Sequence, residues 1–394
     1  MPSASPETDR PVSADALQAY VHDHTDAYLQ FLDRLVRAES PSTDPETQAR
    51  VQRVLAEAFA DLGFAATHLP GTNTGGSVYA RPAARSQGAP CQLLLGHSDT
   101  VWPTGTLDTM PAERDGNELR GPGVFDMKAG LANIVFALRA LDALGSTPAV
   151  CPLVLVTSDE EIGSPESRRH IERLAEAAER VFVLEPALGL EGRIKTARKG
   201  TGEMTLLVRP TDPAPEGNVV LELSRLVQRL YDLQDPDRGV TINVGTIDGQ
   251  HGGGPNGAAR GRLVADVRVP THDDAARLRA AIRSLEADTP GVRVEVRGGI
   301  ERPPLERTAA NRRLWQMAQE RGAWLGLSLE EGRAGGASDG NFTSQHTATL
   351  DGLGAVGDGA HADHEHIRIE ETLDRCALLA LLLAAPPLAQ NGPA

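Results

Sequence analysis

The sequence has 394 residues, too many for one ordinary hydrophobic core, so two domains are expected. Hydrophobic residues make up 40% and charged residues 24%, the balance of an ordinary globular chain. The net charge of −15 argues against a nucleic-acid surface, which needs clustered Lys and Arg, but leaves an anionic small substrate open because local potential can oppose net charge.

In chain order, residues 1–12 read as a disordered tail. Ser13 is placed to cap a helix predicted to run to Arg37, with Leu17, Val21, Tyr28, Leu32 and Leu35 on one face. Pro41 to Pro45 is a break, and a second helix spans about 46–62 and stops at Gly63. Strand-like runs follow at 77–81 and 91–95, then a helix over about 127–144, a buried strand at 153–157, a helix over 165–180 and a strand ending at Glu185. This alternation predicts an α/β domain with a mainly parallel sheet and helices on both faces. The stretch 197–306 differs. Strands at 202–209, 240–247, 261–269 and 292–298 and helices at 219–233 and 273–287 predict a two-layer α/β unit: a four-stranded antiparallel sheet with two helices on one face. A helix from Thr308 to about Leu325 resumes the first part. The expected organisation is therefore one domain from 13–196 and 307–394, with 197–306 inserted.

Three distant cysteines, Cys91, Cys151 and Cys376, fit a reducing compartment with neither disulfides nor a Cys-based metal site. The start shows no signal-peptide pattern, and no apolar run approaches the ~18 residues of a membrane span. A cytoplasmic location is expected.

Candidate chemistry sits at the ends of the buried strands, where open α/β sheets bind ligands. Residues 153–164, LVLVTSDEEIGS, end in the adjacent carboxylates Glu160 and Glu161. Without cations such a pair repels, and one member is driven towards its neutral form. With cations, one carboxylate can ligate while the other serves as general base. A solvated acidic turn is the alternative. In LLLGHSDTV, His97 follows a strand and Asp99 is placed to accept its second ring N–H. In GPGVFDMKAG, Asp126 lies between a Gly-Pro-Gly turn and a helix, as a metal bridge, a helix N-cap or both. In VLEP, Glu185 ends a third strand.

LLLGHSDTV, GPGVFDMKAG, TSDEEIGS and VLEP, in this order along the chain, resemble the two-zinc metallopeptidases that include glutamate carboxypeptidase, acetylornithine deacetylase and succinyl-diaminopimelate desuccinylase. GHSDTVWPTGTL and IERPPLERTAANRRLW look most like glutamate carboxypeptidase. The resemblance implies a zinc domain interrupted by a lid that dimerises. It implies that His97 and Glu185 hold one zinc, that Glu161 and His361 hold the other, and that Asp126 bridges them. Glu160 would be the general base. His361 lies in GLGAVGDGAHADHEHI, where Glu365 also matches; His364 and His366 are surface or supporting histidines on this reading. Oxygen and nitrogen donors without Cys suit zinc, with cobalt or manganese as substitutes.

The implied activity is hydrolysis of an amide bond at a C-terminal acidic residue or in an N-acyl amino acid. Alternatives are a deacetylase or desuccinylase, or a metal-binding relative with little turnover. Arg268 matches an Arg expected to bind a substrate carboxylate, or is a plain surface Arg. Asn256, in GQHGGGPNG, matches an Asn that approaches the active site, and the Gly-rich run 335–342 also matches the family. One departure stands out. Relatives carry a His-Ala-Gly segment after the first lid strand, whose His steadies the oxyanion; here RKGTGEMTLLVR runs into PTDPAPEGNVV without a His. His251 is either a partial replacement or a loop histidine with no role.

Overall fold

The computed structural model describes residues 13–85, 88–211, 218–250 and 260–388. The chain divides into two compact units. One takes residues up to Thr196, Arg307–Gly332 and those from Phe342 on; the other takes Ala197–Glu306 and Arg333–Asn341.

The first unit is built on a six-stranded sheet in the order Phe64–Leu69, Ser77–Pro82, Cys151–Thr157, Cys91–His97, Arg180–Val183, Ala348–Leu350. The last four are parallel, and the first two pair antiparallel. Alternate side chains feed two cores. Leu94, Val154, Val156 and Phe182 join the core that holds the apolar faces of the helices at 14–37, 129–143 and 369–383. Leu93, Leu95, Leu153, Leu155 and Val181 face the other way, onto Ile171 and Ala175 of helix Arg168–Ala177. A sheet covered on both faces needs apolar residues at every strand position, hence the unbroken runs in the sequence.

Register sets the site. His97 lies opposite Thr157, and Leu95 lies opposite Val183. Glu185, two residues beyond Val183, therefore leaves the sheet level with His97, and the Ser158–Glu161 turn starts beside it. A small antiparallel sheet, ordered Gly357–Asp358, His366–Arg368, Glu118–Arg120, Glu113–Asp115, brings the 359–365 loop to the Gly121–Lys128 turn. Its short strands carry no period that the sequence shows.

Two helices differ from expectation. The one predicted over 13–37 is two, Ala14–Asp23 and Thr25–Arg37. His24 leaves the helical region at φ −103° and ψ 19°, and the Thr25 hydroxyl donates to the His22 carbonyl. The apolar face survives the break, with Leu17, Val21, Tyr28, Leu32 and Leu35 all fully buried. The helix predicted from 127 begins at Ala129, because Val124–Lys128 forms a wider turn in which Asp126 and Met127 are not helical. Asp126 is therefore no N-cap.

In the second unit the antiparallel order is Thr241–Gln250, Arg260–Val269, Gly200–Pro210, Val292–Gly298. Helices Val219–Asp232 and His272–Arg283 bury Leu223, Leu226 and Leu278 against Met204, Leu206 and Leu263. Asn218 and Thr271 cap them through side-chain oxygens. Asn341 Nδ2 donates to the Lys199 and Pro303 carbonyls, which ties 333–341 into this unit. Among the described residues, no helix is long and apolar enough to cross a membrane.

Candidate active site

Five side chains from five segments of the first unit converge beyond the carboxyl ends of the parallel strands. His97 Nε2 lies 3.3 Å from Asp126 Oδ1 and 3.4 Å from Glu185 Oε1. His361 Nε2 lies 3.4 Å from Asp126 Oδ2 and 3.3 Å from Glu161 Oε2. Asp126 is thus shared, one oxygen towards each histidine. His97 is buried, whereas the His361 side chain is half exposed, on a backbone with φ 64°. A non-glycine residue in the left-handed region is uncommon and is retained where surrounding structure enforces it.

The residues present fit a pair of divalent cations. Despite these short separations, His97 Nε2, Asp126 Oδ1 and Glu161 Oε1 are buried without a hydrogen bond. Buried polar atoms without partners are costly, so their convergence calls for a shared partner. Donors 2.0–2.2 Å from one tetrahedral cation stand about 3.3–3.6 Å apart, close to the spacings seen here. Electrostatics agree. Burial alone would lower the His97 pKa, but the carboxylates of Asp126, Asp99 and Glu185 push it well above the usual range. Asp126 and Glu161 raise His361 to about 10. Both imidazoles are drawn to the charged form, so the cluster demands positive charge. Burial raises Glu161, whereas Asp126 is lowered because the two histidines outweigh its burial.

Glu160 is buried beside this cluster, and single oxygens of Glu160 and Glu185 and a nitrogen of His97 lie within 4.8 Å of one another. Distance alone thus leaves Glu160 as a base or a ligand. His364 is exposed, and His366 Nδ1 meets the His364 carbonyl, so neither belongs to the cluster.

Supporting contacts hold His97, Asp126 and Glu161. His97 Nδ1 lies 3.0 Å from the Asp99 carbonyl and 3.4 Å from its carboxylate. The Asp99 carboxylate also accepts the Glu160 and Glu161 N–H groups at 3.3 and 3.1 Å and the Ser42 hydroxyl at 2.7 Å. It therefore orients the TSDEEIGS turn as well as His97 of its own motif. Glu365 accepts from the N–H groups of Gly123, Phe125 and Asp126 and from the Trp102 indole, at 2.7–3.0 Å. Burial raises its pKa to about 7 against those four donors. Lys128 is buried and donates to the Ala38 carbonyl; burial lowers it to about 8.

A model of peptidase family M20/M25/M40 matches residues 93–385. The chain belongs to that family. Carboxypeptidase G2 of Pseudomonas sp. (strain RS-16) is 28% identical over 384 residues, covering 92% of this chain and 89% of that one. Succinyl-diaminopimelate desuccinylase of Xanthomonas oryzae pv. oryzae (strain MAFF 311018) is 30% identical over 377 residues, covering 89% and 96%. Among solved structures, the aminopeptidase PepT of Bacillus cereus shares the fold, with a TM-score of 0.71 at 19% identity over 93% of this chain and 98% of that one. As a member of family M20/M25/M40, the chain is a metal-dependent hydrolase.

In the second unit, Arg268 is exposed, and its guanidinium donates to the Gly335 carbonyl. Asn256 and His251 lie outside the described residues. Sequence reasoning missed Ser42, Gln48, Trp102 and Lys128. For Gln48 a signal existed: it occupies the apolar stripe of its helix with Val51, Leu55 and Phe59, where a polar side chain needs a buried partner.

Proposed function

We propose that the chain is a two-metal amidohydrolase that releases a C-terminal acidic residue, or cleaves a comparable N-acyl amino acid. The convergence of His97, Asp126, Glu161, Glu185 and His361 on unpartnered buried atoms carries this reading. His97, Asp126 and Glu185 would hold one cation, and Asp126, Glu161 and His361 the other. Zinc suits the donors, with cobalt or manganese as substitutes. The chemistry that such a pair supplies when bound is a more acidic water and a polarised scissile carbonyl. Glu160 accepts the proton of the attacking water and passes it to the leaving amine. Asp99 keeps the His97 ring in place and fixes the Glu160 backbone. Glu365 holds the Asp126 turn through three backbone N–H groups.

Preference for an acidic substrate rests on the resemblance of GHSDTVWPTGTL and IERPPLERTAANRRLW to glutamate carboxypeptidase and on charge in the second unit. Burial lowers the Lys199 pKa, and the positive charges of Arg268 and Arg333 lower it further, so three cations stand close together. Such a cluster suits a carboxylate, and Arg268 can offer a bidentate contact. A panel of dipeptides and N-acyl amino acids with added zinc tests the reading. Acidic C-terminal residues should be cleaved fastest, and no turnover of any amide would overturn it. Arg268→Ala should raise KM about tenfold to hundredfold for acidic substrates and little for neutral ones. An equal effect on both would remove Arg268 from the carboxylate site.

Similarity to a desuccinylase at 30% identity favours an N-succinyl amine as the second reading; the same panel separates the two. Without the family's usual lid histidine, turnover on ordinary family substrates would be weak unless another donor serves, and His251 is the nearest histidine in sequence.

The second unit would also form a homodimer. Val220 and Leu221 on its first helix and Ile247 on its edge strand are exposed apolar side chains, which supports an interface there. Light scattering at micromolar concentration should give twice the chain mass; a monomer would rule the dimer out.

A further inference from the structure

We propose that Gln48 is a positioning residue that fixes the turn carrying Glu160 and Glu161; this rests on the hydrolytic reading of the site. Gln48 stands in the first turn of helix Pro45–Asp61 and is fully buried. Its Nε2 donates to the Pro41 carbonyl at 3.0 Å and the Ser158 carbonyl at 2.9 Å. Its Oε1 accepts from the Gly75 N–H at 2.8 Å. Both amide protons and the oxygen are used, so three distant segments meet on one side chain.

Ser158 is the first residue after the strand Cys151–Thr157, two before Glu160. The turn is therefore held at both ends. Gln48 takes the Ser158 carbonyl, and the Asp99 carboxylate takes the Glu160 and Glu161 N–H groups. The two anchors are linked, because Ser42 holds Asp99 and its neighbour Pro41 is bound by Gln48. Asp99 fixes the amides of Glu160 and Glu161, and Gln48 fixes the Ser158 carbonyl directly against Pro41. The adjacent carboxylates need different placements, Glu161 towards His361 and Glu160 where it can accept a proton. A shift of their common backbone displaces both.

No isostere reproduces this pattern. Glutamate keeps the acceptor for Gly75 but sets a carboxylate oxygen against two carbonyls. Methionine keeps the volume and removes all three hydrogen bonds. Gln48→Glu thus separates the turn clamp from the Gly75 contact, and Gln48→Met removes both.

The test uses the full chain. Backbone hydrogen exchange is followed in metal-free protein, zinc binding is measured by calorimetric titration, and kcat and KM are measured with zinc. In both variants, exchange over residues 157–164 should quicken about tenfold while the strand Cys91–His97 and the second unit stay as in the parent. Zinc affinity at one of two sites should fall about 10–100-fold. Turnover should fall about 10–100-fold with KM within about threefold, because a small misplacement acts on chemistry more than on binding. Unchanged exchange and zinc affinity in a folded variant would overturn the proposal. So would exchange quickened equally throughout the first unit, which marks ordinary loss of stability. A parent protein that cleaves no amide would defeat the hydrolytic reading alone, since exchange and zinc binding still decide the role of Gln48.

Discussion

Replacing Glu160 by Gln is expected to lower kcat by about 10²–10⁴-fold while the metal content stays at two per chain. The size follows from losing proton transfer in both directions, from the water and then to the leaving amine. Carboxamide and carboxylate nearly match in shape, so the buried space around residue 160 should not change. Its backbone N–H is held by Asp99, and that contact does not involve the side chain. Stability should therefore be close to the parent's. Elemental analysis decides the alternative that distance leaves open, since a Glu160 oxygen lies within 4.8 Å of His97 and Glu185 donors. If the variant lost one metal, Glu160 would be a ligand and the base would have to be sought elsewhere.

Removing the metals should abolish turnover and lower the unfolding midpoint by several degrees, and added zinc should restore both. At free zinc about a thousandfold above the dissociation constant, each site adds about 4 kcal/mol to the folded state. The bare cluster starts from a poor position. Asp126, Glu161 and Glu185 crowd two histidines that take up protons in place of cations, and three buried donor atoms stay unpaired. Differential scanning calorimetry with and without chelator measures the difference. A midpoint indifferent to chelator and zinc would argue against metal sites at these residues. Asp126→Ala removes the shared carboxylate and should erase most of the zinc-dependent shift.

Much of this was legible because strand-end chemistry leaves a local imprint. An apolar run that stops at His97, Glu160 or Glu185 marks a buried strand and a polar side chain at its exit together. The second unit was readable for a similar reason: strand and helix periods alternate cleanly from Gly200 to Gly298. What escaped depends on contacts between distant segments. Nothing local distinguishes His24, where the first helix breaks, or shows that the Val124–Lys128 turn delays the next helix to Ala129. Ser42 read as part of a proline-bounded break, yet its hydroxyl steadies Asp99. The Phe64–Leu69 strand carries Ala and Thr where a buried strand would carry Val or Leu, and the small sheet behind His361 has strands of two or three residues.

The loop that holds His361 and Glu365 has a consequence for when the site can exist. His97, Asp126, Glu161 and Glu185 fall within 89 residues of one another, counting from 97 to 185 inclusive, and the last imidazole comes 176 residues after Glu185. The inserted unit must be traversed before that loop is synthesised. Until then the Asp126 turn lacks the carboxylate that accepts its N–H groups, and Asp126 and Glu161 lack the imidazole between them. Chains emerge from the ribosome N-terminus first. A growing chain thus carries His97, Asp126, Glu161 and Glu185 first, and the full set of five side chains exists only near the end of synthesis. A chain cut short before residue 361 lacks the imidazole that stands between Asp126 and Glu161.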